Sequence, residues 1–313
     1  MGATIPPKDP RQFIRKVSDV RDSIVDNFKH GGAKGETTFI PDIDGMFKWK
    51  KTFINTLTGY QNHGKSQFLV YLCLAKAIGD GSKFAFYTPE GNDAPDWYEE
   101  LIHCLCGQTT DKDYDQISED RLEWAMEFLD KHFFFIQAVK GSHKEVLSAF
   151  KYLKETEDLY GCIIDGYNSL VFDTHSQEYL QIRNFLIDQR IFTNNNNVCT
   201  FVVVHPRNTG KDQRGEVPEP DVYTLSGGAE WGNKGDIILC YNRPRYWEDR
   251  LDTSCYIKSL KIKKQKLIAL PGQCDMTFNR ATNRYLFNGQ DLLQDLINKK
   301  LRSPLQPSNE FTF

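Results

Sequence analysis

The chain lacks several features that would settle its class quickly. Its 313 residues hold no apolar run long enough to cross a membrane. No segment reads as a secretory leader, so the expected compartment is intracellular. The formal net charge is only −3, so the molecule as a whole is no polycation. Any contact with nucleic acid has to come from a local patch. Eight cysteines are present at 73, 104, 106, 162, 199, 240, 255 and 274, but no C-x-x-C pair occurs. That argues against a zinc ribbon and against a disulfide framework. Cys104 and Cys106 are close, but a lone C-x-C is a poor metal signal, and several cysteines sit in apolar runs as small hydrophobes. No internal repeat is visible, and "NNNN" at 194–197 reads as a short loop between a helix and a strand.

What is present is an ordinary globular composition, with 40% apolar and 26% charged residues. Residues 1–35 stand apart. "MGATIPPKDPRQF" is Pro-rich and polar. "SDVRDSIVDNF" then predicts a short amphipathic helix, with Ser18 as N-cap and Val20, Ile24, Val25 and Phe28 on one face. The glycines of "KHGGAKG" end it. Either the domain's own surface or a neighbouring subunit has to cover that face. From Thr52 the chain alternates. Strands are predicted at "TFINTLTG", "KFAFYTPE", "FFFIQAV", "GCIIDGY", "CTFVVVHP" and "DIILCYNR", with helices at 65–79, 93–107, 119–131, 143–156 and 177–193. Continuous apolar strands separated by helices predict an α/β fold with a mostly parallel sheet covered on both faces. "SCYIKSLKIKKQK" and "CDMTFNRATNRYLF" instead read as C-terminal β-strands joined by turns. The expected division is a linker over 1–35, one domain over 36–300 and a tail over 301–313.

The chemistry starts at "TGYQNHGKSQFLVYLCLA", residues 58–75. It matches G-x-x-x-x-G-K-S between a predicted strand and a predicted helix, the context of a phosphate-binding P-loop. Glycines let the backbone turn its N–H groups inward, and the helix N-terminus favours anions. The nucleotide-binding candidates are Gly59, Asn62, His63, Gly64, Lys65, Ser66 and Gln67. Lys65 can reach the β- and γ-phosphates, and the Ser66 hydroxyl can bind Mg²⁺. "LYGCIIDGYNSL" ends an apolar strand in Asp165, at the sheet edge where ligands collect, so Asp165 is the second metal candidate. "FAFYTPEG" puts Glu90 just past the next strand, where a carboxylate can polarise a water; the plainer reading is an exposed loop glutamate. "FVVVHPRN" ends in His205, a residue type that at strand ends is more often structural.

The order of these motifs carries a resemblance. "TGYQNHGKS", "FYTPEG", "CIIDGYNSL", "VVVHPRN" and "LSGGAEWGNKGDIILCYNR" resemble the RecA-like P-loop core of ring-shaped, DnaB-like replicative helicases, in particular the Twinkle-type and phage primase-helicase branch. The resemblance spans about residues 18 to 287. It implies a homo-hexamer, or a heptamer, with ATP or another NTP and Mg²⁺ at subunit interfaces and single-stranded DNA through the centre. It implies Lys65 and Ser66 at the phosphates, Glu90 as catalytic carboxylate, Asp165 at the metal and His205 as γ-phosphate sensor. It implies that the loop after His205 faces DNA, so Arg207, Lys211 and Arg214 become DNA-binding candidates, diluted by Glu216, Glu219 and Asp221. The leader helix resembles a linker helix that packs on the adjacent subunit. A primase is an implied partner, although no primase module is visible. A bacterial or phage-infected cytoplasm is expected rather than an organelle, since no Arg/Ser-rich leader is seen.

One motif departs from the family. The resemblance implies a basic residue, one spacer and an arginine offered to the neighbour's γ-phosphate. Here "KKQKLIALPG" supplies Lys264 and then Lys266, a point charge without the guanidinium fork. Lys266 acts as a weaker finger, or Arg243 or Arg245 of "YNRPRYW" replaces it; the bland reading is an edge strand guarded by lysines. Two other functions stay open: a RecA-like DNA-binding filament or loader without unwinding, and a nucleotide-binding assembly module with little turnover. A small-molecule kinase is disfavoured because no Arg-rich lid segment is apparent.

Overall fold

The structure is a computed structural model that describes residues 14–89, 93–172, 177–207, 210, 217–226 and 228–301. Among the described residues, nine strands form one sheet. They are β1 (Ile54–Thr58), β2 (Phe84–Tyr87), β3 (Phe133–Phe135), β4 (Gly161–Asp165), β5 (Cys199–Val204), β6 (Ile237–Asn242), β7 (Ser254–Ile262), β8 (Gln273–Asn279) and β9 (Arg284–Leu286). Their order is β3-β2-β4-β5-β1-β6-β7-β8-β9. The first six run parallel, and β7 to β9 add antiparallel. The mostly parallel α/β sheet with antiparallel C-terminal strands is therefore as the sequence predicts.

Burial explains the division. β1, β5 and β6 are buried at every position, as central strands covered on both faces must be. β7 alternates between buried and partly exposed positions. The helices are α1 (Val17–His30), α2 (Pro41–Asp44), α3 (Lys65–Asp80), α4 (Ala94–Cys106), α5 (Glu119–His132), α6 (His143–Glu157), α7 (Glu178–Asn196), α8 (Gly228–Lys234) and α9 (Leu292–Lys300). None among the described residues is long and apolar enough to cross a membrane. One face of the sheet carries α3, α4 and the segment around Trp49, which packs on Phe47, Phe84 and Phe201. The other carries α6, α7 and α8, with Phe185 and Trp231 in its core. All eight cysteines are buried and none is in a disulfide.

Several local expectations move. Ser18 is not the N-cap: α1 starts at Val17, and the Asp19 carboxylate accepts the Lys16 N–H at 2.8 Å. A charged acceptor at the third helical position satisfies that donor and complements the helix dipole. "NNNN" is not a loop: α7 runs through Asn196, and Asn197 alone turns left-handed at φ 50° with its N–H on the Thr193 carbonyl. β3 stops at Phe135 and β7 at Ile262, and the stretch that follows β7 turns through Lys264 at φ 55°. α9 and the buried segment around Trp49 have no counterpart in the sequence reading. No residue of α1 is buried, and Val17, Ile24 and Phe28 are exposed. Among the described residues, therefore, nothing of the domain's own surface covers the apolar face of α1.

Candidate nucleotide-binding site

Register brings the motifs to one edge. Thr58 pairs with Val204 and Asp165 with Val203, so β1, β5 and β4 end level with one another. The P-loop, His205 and Asp165 leave these neighbouring strands in turn, across about 10 Å of sheet. Tyr87 pairs with Ile164, which sets Thr88 beside Asp165.

The loop needs its glycines. Gly59 has φ 149°, and a Cβ there would lie 2.2 Å from the Tyr241 carbonyl oxygen. Gly64 has φ 103° and caps α3, whose first turn contains no acidic residue. The N-terminus of α3 is thus open to an anion. A cavity of about 430 Å³ opens in front of it, and Asn62, Gly64, Lys65, Ser66, Gln67, Asp165 and His205 all line it. Lys65 is buried, and its ammonium donates to the Tyr60 carbonyl at 2.8 Å.

This donor set fits a magnesium nucleotide. Ser66 and Asp165 present hard oxygen ligands to one cavity, as Mg²⁺ prefers. Among the described residues no group of three or more His, Cys, Asp or Glu converges as a protein-only cage. A magnesium ion held here would draw its remaining ligands from phosphate and water.

Several cavity residues escaped the sequence reading, Glu100 and Trp97 the most telling among them. Glu100 of α4 and Trp97, one turn earlier, both line it. Glu100 is exposed by surface area, but partial desolvation against the cavity wall, then the nearby Asp165 and Asp96, raise its carboxyl above its ordinary range. The signal was legible only as an acid beside the buried stripe Trp97, Leu101 and Cys104. Glu90 lies outside the described residues, as do Lys211 and Arg214.

His63 does not line that first cavity, whereas Asn62, Gly64 and Gln67 line it and also the cavity that His63 faces. His63 lines this second cavity of about 250 Å³ with Arg243, Phe278, Arg280 and Tyr285. Its Nδ1 accepts the Arg243 backbone N–H at 3.2 Å, and its ring packs on Tyr246 at 4.6 Å. Arg243 also stacks on Tyr246 at 4.7 Å, so it stands beside this chain's own P-loop. Arg245 pairs with Asp252 at 3.4 Å. Arg207 is exposed, and its backbone N–H donates to the Thr224 carbonyl at 2.7 Å.

Lys264 and Lys266 are not brought to the site. β7 runs antiparallel to β6, pairing Asn242 with Tyr256 and Ile237 with Ile262. It therefore ends at the sheet edge opposite the P-loop. Both lysines are exposed there, about 20 Å of strand away from the phosphate edge.

The strand order, the P-loop at the end of β1 and the added antiparallel strands make this the RecA-like ATPase-domain fold of DnaB-type helicases. Two solved structures illustrate it. One, an ATPase domain, aligns with a TM-score of 0.73 at 14% identity, covering 88% of this chain and 99% of that one. The other, "The Structure Of A DnaB-Like Replicative Helicase And Its Interactions With Primase", aligns at 0.70 and 14% identity, covering 89% of this chain and 71% of that one. No protein-family model matches the sequence, and no curated protein does.

Proposed function

We propose that the chain is the motor of an ATP-dependent DNA helicase, a ring of six subunits that moves on single-stranded DNA. The observation that carries this reading is the shared cavity in which Lys65 and Ser66 face Asp165 and His205. Bound Mg²⁺–ATP supplies the phosphoryl group and the metal's charge. Lys65 exchanges the neutral Tyr60 carbonyl for an anionic phosphate oxygen, which is the stronger acceptor. Ser66 and Asp165 hold the metal, and His205 senses the γ-phosphate. Thr88 lines the cavity two residues ahead of Glu90, which supports Glu90 as the carboxylate that orients the attacking water. The second cavity, with the Arg243 cation and the Phe278 ring, suits a nucleobase. Lys264 and Lys266 serve the nucleotide of the neighbouring subunit, and the exposed face of α1 packs on that neighbour. Arg207, Lys211 and Arg214 meet DNA phosphates. On the same ground residues 1–35 are the linker, 36–300 the ATPase domain and 301–313 a tail, and a primase is a candidate partner.

The test is ATP hydrolysis with and without single-stranded DNA, followed by strand separation on a forked duplex. DNA-stimulated hydrolysis is expected, with Lys65→Ala lowering it by at least about 10²-fold. Absence of hydrolysis under every condition would sink the reading in favour of an assembly module. Stimulated hydrolysis without strand separation would leave a filament or loader.

A further inference from the structure

The cavity in front of α3 is shaped for an anion, with Lys65 and the open helix N-terminus facing it. Two carboxylates nevertheless line it, Asp165 at the end of β4 and Glu100 on α4. A carboxylate that faces a polyanion repels it unless a cation lies between the two. The metal accounts for Asp165. Nothing in the phosphate cradle accounts for Glu100.

The backbone of Glu100 is held in place against α3. The turn between β8 and β9 joins the two helices. The Gln67 side chain donates to the Asn283 carbonyl at 3.3 Å, and the Asn283 side chain donates to the Glu100 carbonyl at 3.4 Å. Further along α4, the His103 ring meets the Ala281 carbonyl at 3.0 Å. Arg284 donates to the Cys104 and Leu105 carbonyls, each at 2.6 Å. Glu100 is thus fixed relative to the first turn of α3, which carries Ser66. Its side chain stays exposed where it lines the cavity. Desolvation at the cavity wall acts first on its carboxyl, and among the surrounding charges that of Asp165 acts most. The two carboxylates therefore share one space.

We infer that Glu100 is a positioning residue for the magnesium ion of the bound nucleotide, acting on its water shell rather than as a ligand. The inference rests on reading this cavity as the site of a magnesium nucleotide. Magnesium keeps several waters when it binds. Carboxylates beyond the ligands orient what the metal holds. A role through water agrees with the absence, among the described residues, of three His, Cys, Asp or Glu groups that converge on one ion. Glu100 then favours a nucleotide that carries its metal and, by the same charge, opposes a bare one. The side chain selects the magnesium complex over the free anion.

The experiment is equilibrium binding of a non-hydrolysable ATP analogue to the full chain by titration calorimetry, in EDTA and over a magnesium series. It compares the wild type with Glu100→Gln, which keeps the shape of an exposed side chain and removes only its charge. In Glu100→Gln the magnesium concentration for half the effect is expected to rise about tenfold or more, the usual cost of losing a partner outside the metal's ligands. Affinity in EDTA is expected to be no weaker, because a charge that repels phosphate is gone. A residue that only shaped the cavity would weaken both. Equal losses with and without magnesium would therefore overturn the inference, as would a variant with the wild-type magnesium response. A wild type that fails to bind the analogue, or binds it regardless of magnesium, would instead remove the magnesium-nucleotide reading beneath it.

Discussion

His63 illustrates how neighbours decide what a motif residue does. Its position in the P-loop was legible, and so were Lys65, Ser66 and Asp165, because local pattern alone assigns them to a strand end or a helix start. The surroundings of His63 were not legible, since Arg243 and Tyr246 lie some 180 residues on and only folding brings them near. Glu100 was missed for the same reason, because its partner Asp165 lies on another element. The His63 ring is 2% exposed. Nδ1 accepts an N–H, so the neutral ring carries its proton on Nε2. Burial first, then the Lys65 and Arg243 charges, lower its pKa from 6.5 to about 4. Between those values the unfolded chain binds the proton and the folded one does not. Stability contributed by the neutral ring is therefore full above about 6.5 and lost as pH falls to about 4. The loss amounts to about 3 kcal/mol. Urea unfolding of the ligand-free protein across this window should show that slope, and His63→Gln should flatten it. Equal slopes in both proteins would mean the ring is not the titrating group.

At the scale of elements, the helices and strands of the parallel half follow from apolar runs and their punctuation, and the sequence located most of them. The C-terminal helix α9 escaped, because its nine residues carry a short apolar pattern and its role depends on a distant contact. Arg284 of β9 makes that contact. It is 1% exposed. Its Nε donates to the Cys104 carbonyl and one terminal nitrogen to the Leu105 carbonyl, each at 2.6 Å. The other terminal nitrogen reaches Asp291 at 2.9 Å and Gln294 at 2.7 Å. The last carbonyls of α4 have no partner within their own helix, so the guanidinium fork completes that helix end. It also fastens β9 and α9 to α4, the helix that brings Trp97 and Glu100 to the cavity. Arg284→Ala leaves Oδ2 of Asp291 and two buried carbonyls without the donor they share. A loss of about 3–5 kcal/mol in urea unfolding is expected. Arg284→Lys should recover little, because an ammonium cannot span the same acceptors. A loss under about 1 kcal/mol, the level of an exposed pair, would show that the clamp does not hold these elements together.

Across the whole molecule, the decisive facts are sheet order and strand direction, which apolar patterns do not encode. The sequence indicated C-terminal strands bearing Lys264 and Lys266 but not the edge at which those lysines would emerge. The antiparallel course of β7 puts them opposite the P-loop, with the full length of β6 between. No side-chain rearrangement lets Lys266 reach phosphates bound to its own Lys65. If Lys266 assists hydrolysis, it does so on a second copy, in a head-to-tail contact whose two faces are different surfaces. Arg243, held beside this chain's own P-loop, is poorly placed for that task. Mixing two inactive variants tests this arrangement. Lys65→Ala subunits keep a working Lys266, and Lys266→Ala subunits keep a working P-loop. After co-assembly, random pairing joins a good P-loop to a good lysine at about a quarter of the contacts, so ATPase should return to about a quarter of the wild-type rate. A mixture that stays as inactive as its parents would mean that Lys266 does not act across the contact. A Lys266→Ala protein that is fully active alone would remove that lysine from the chemistry altogether.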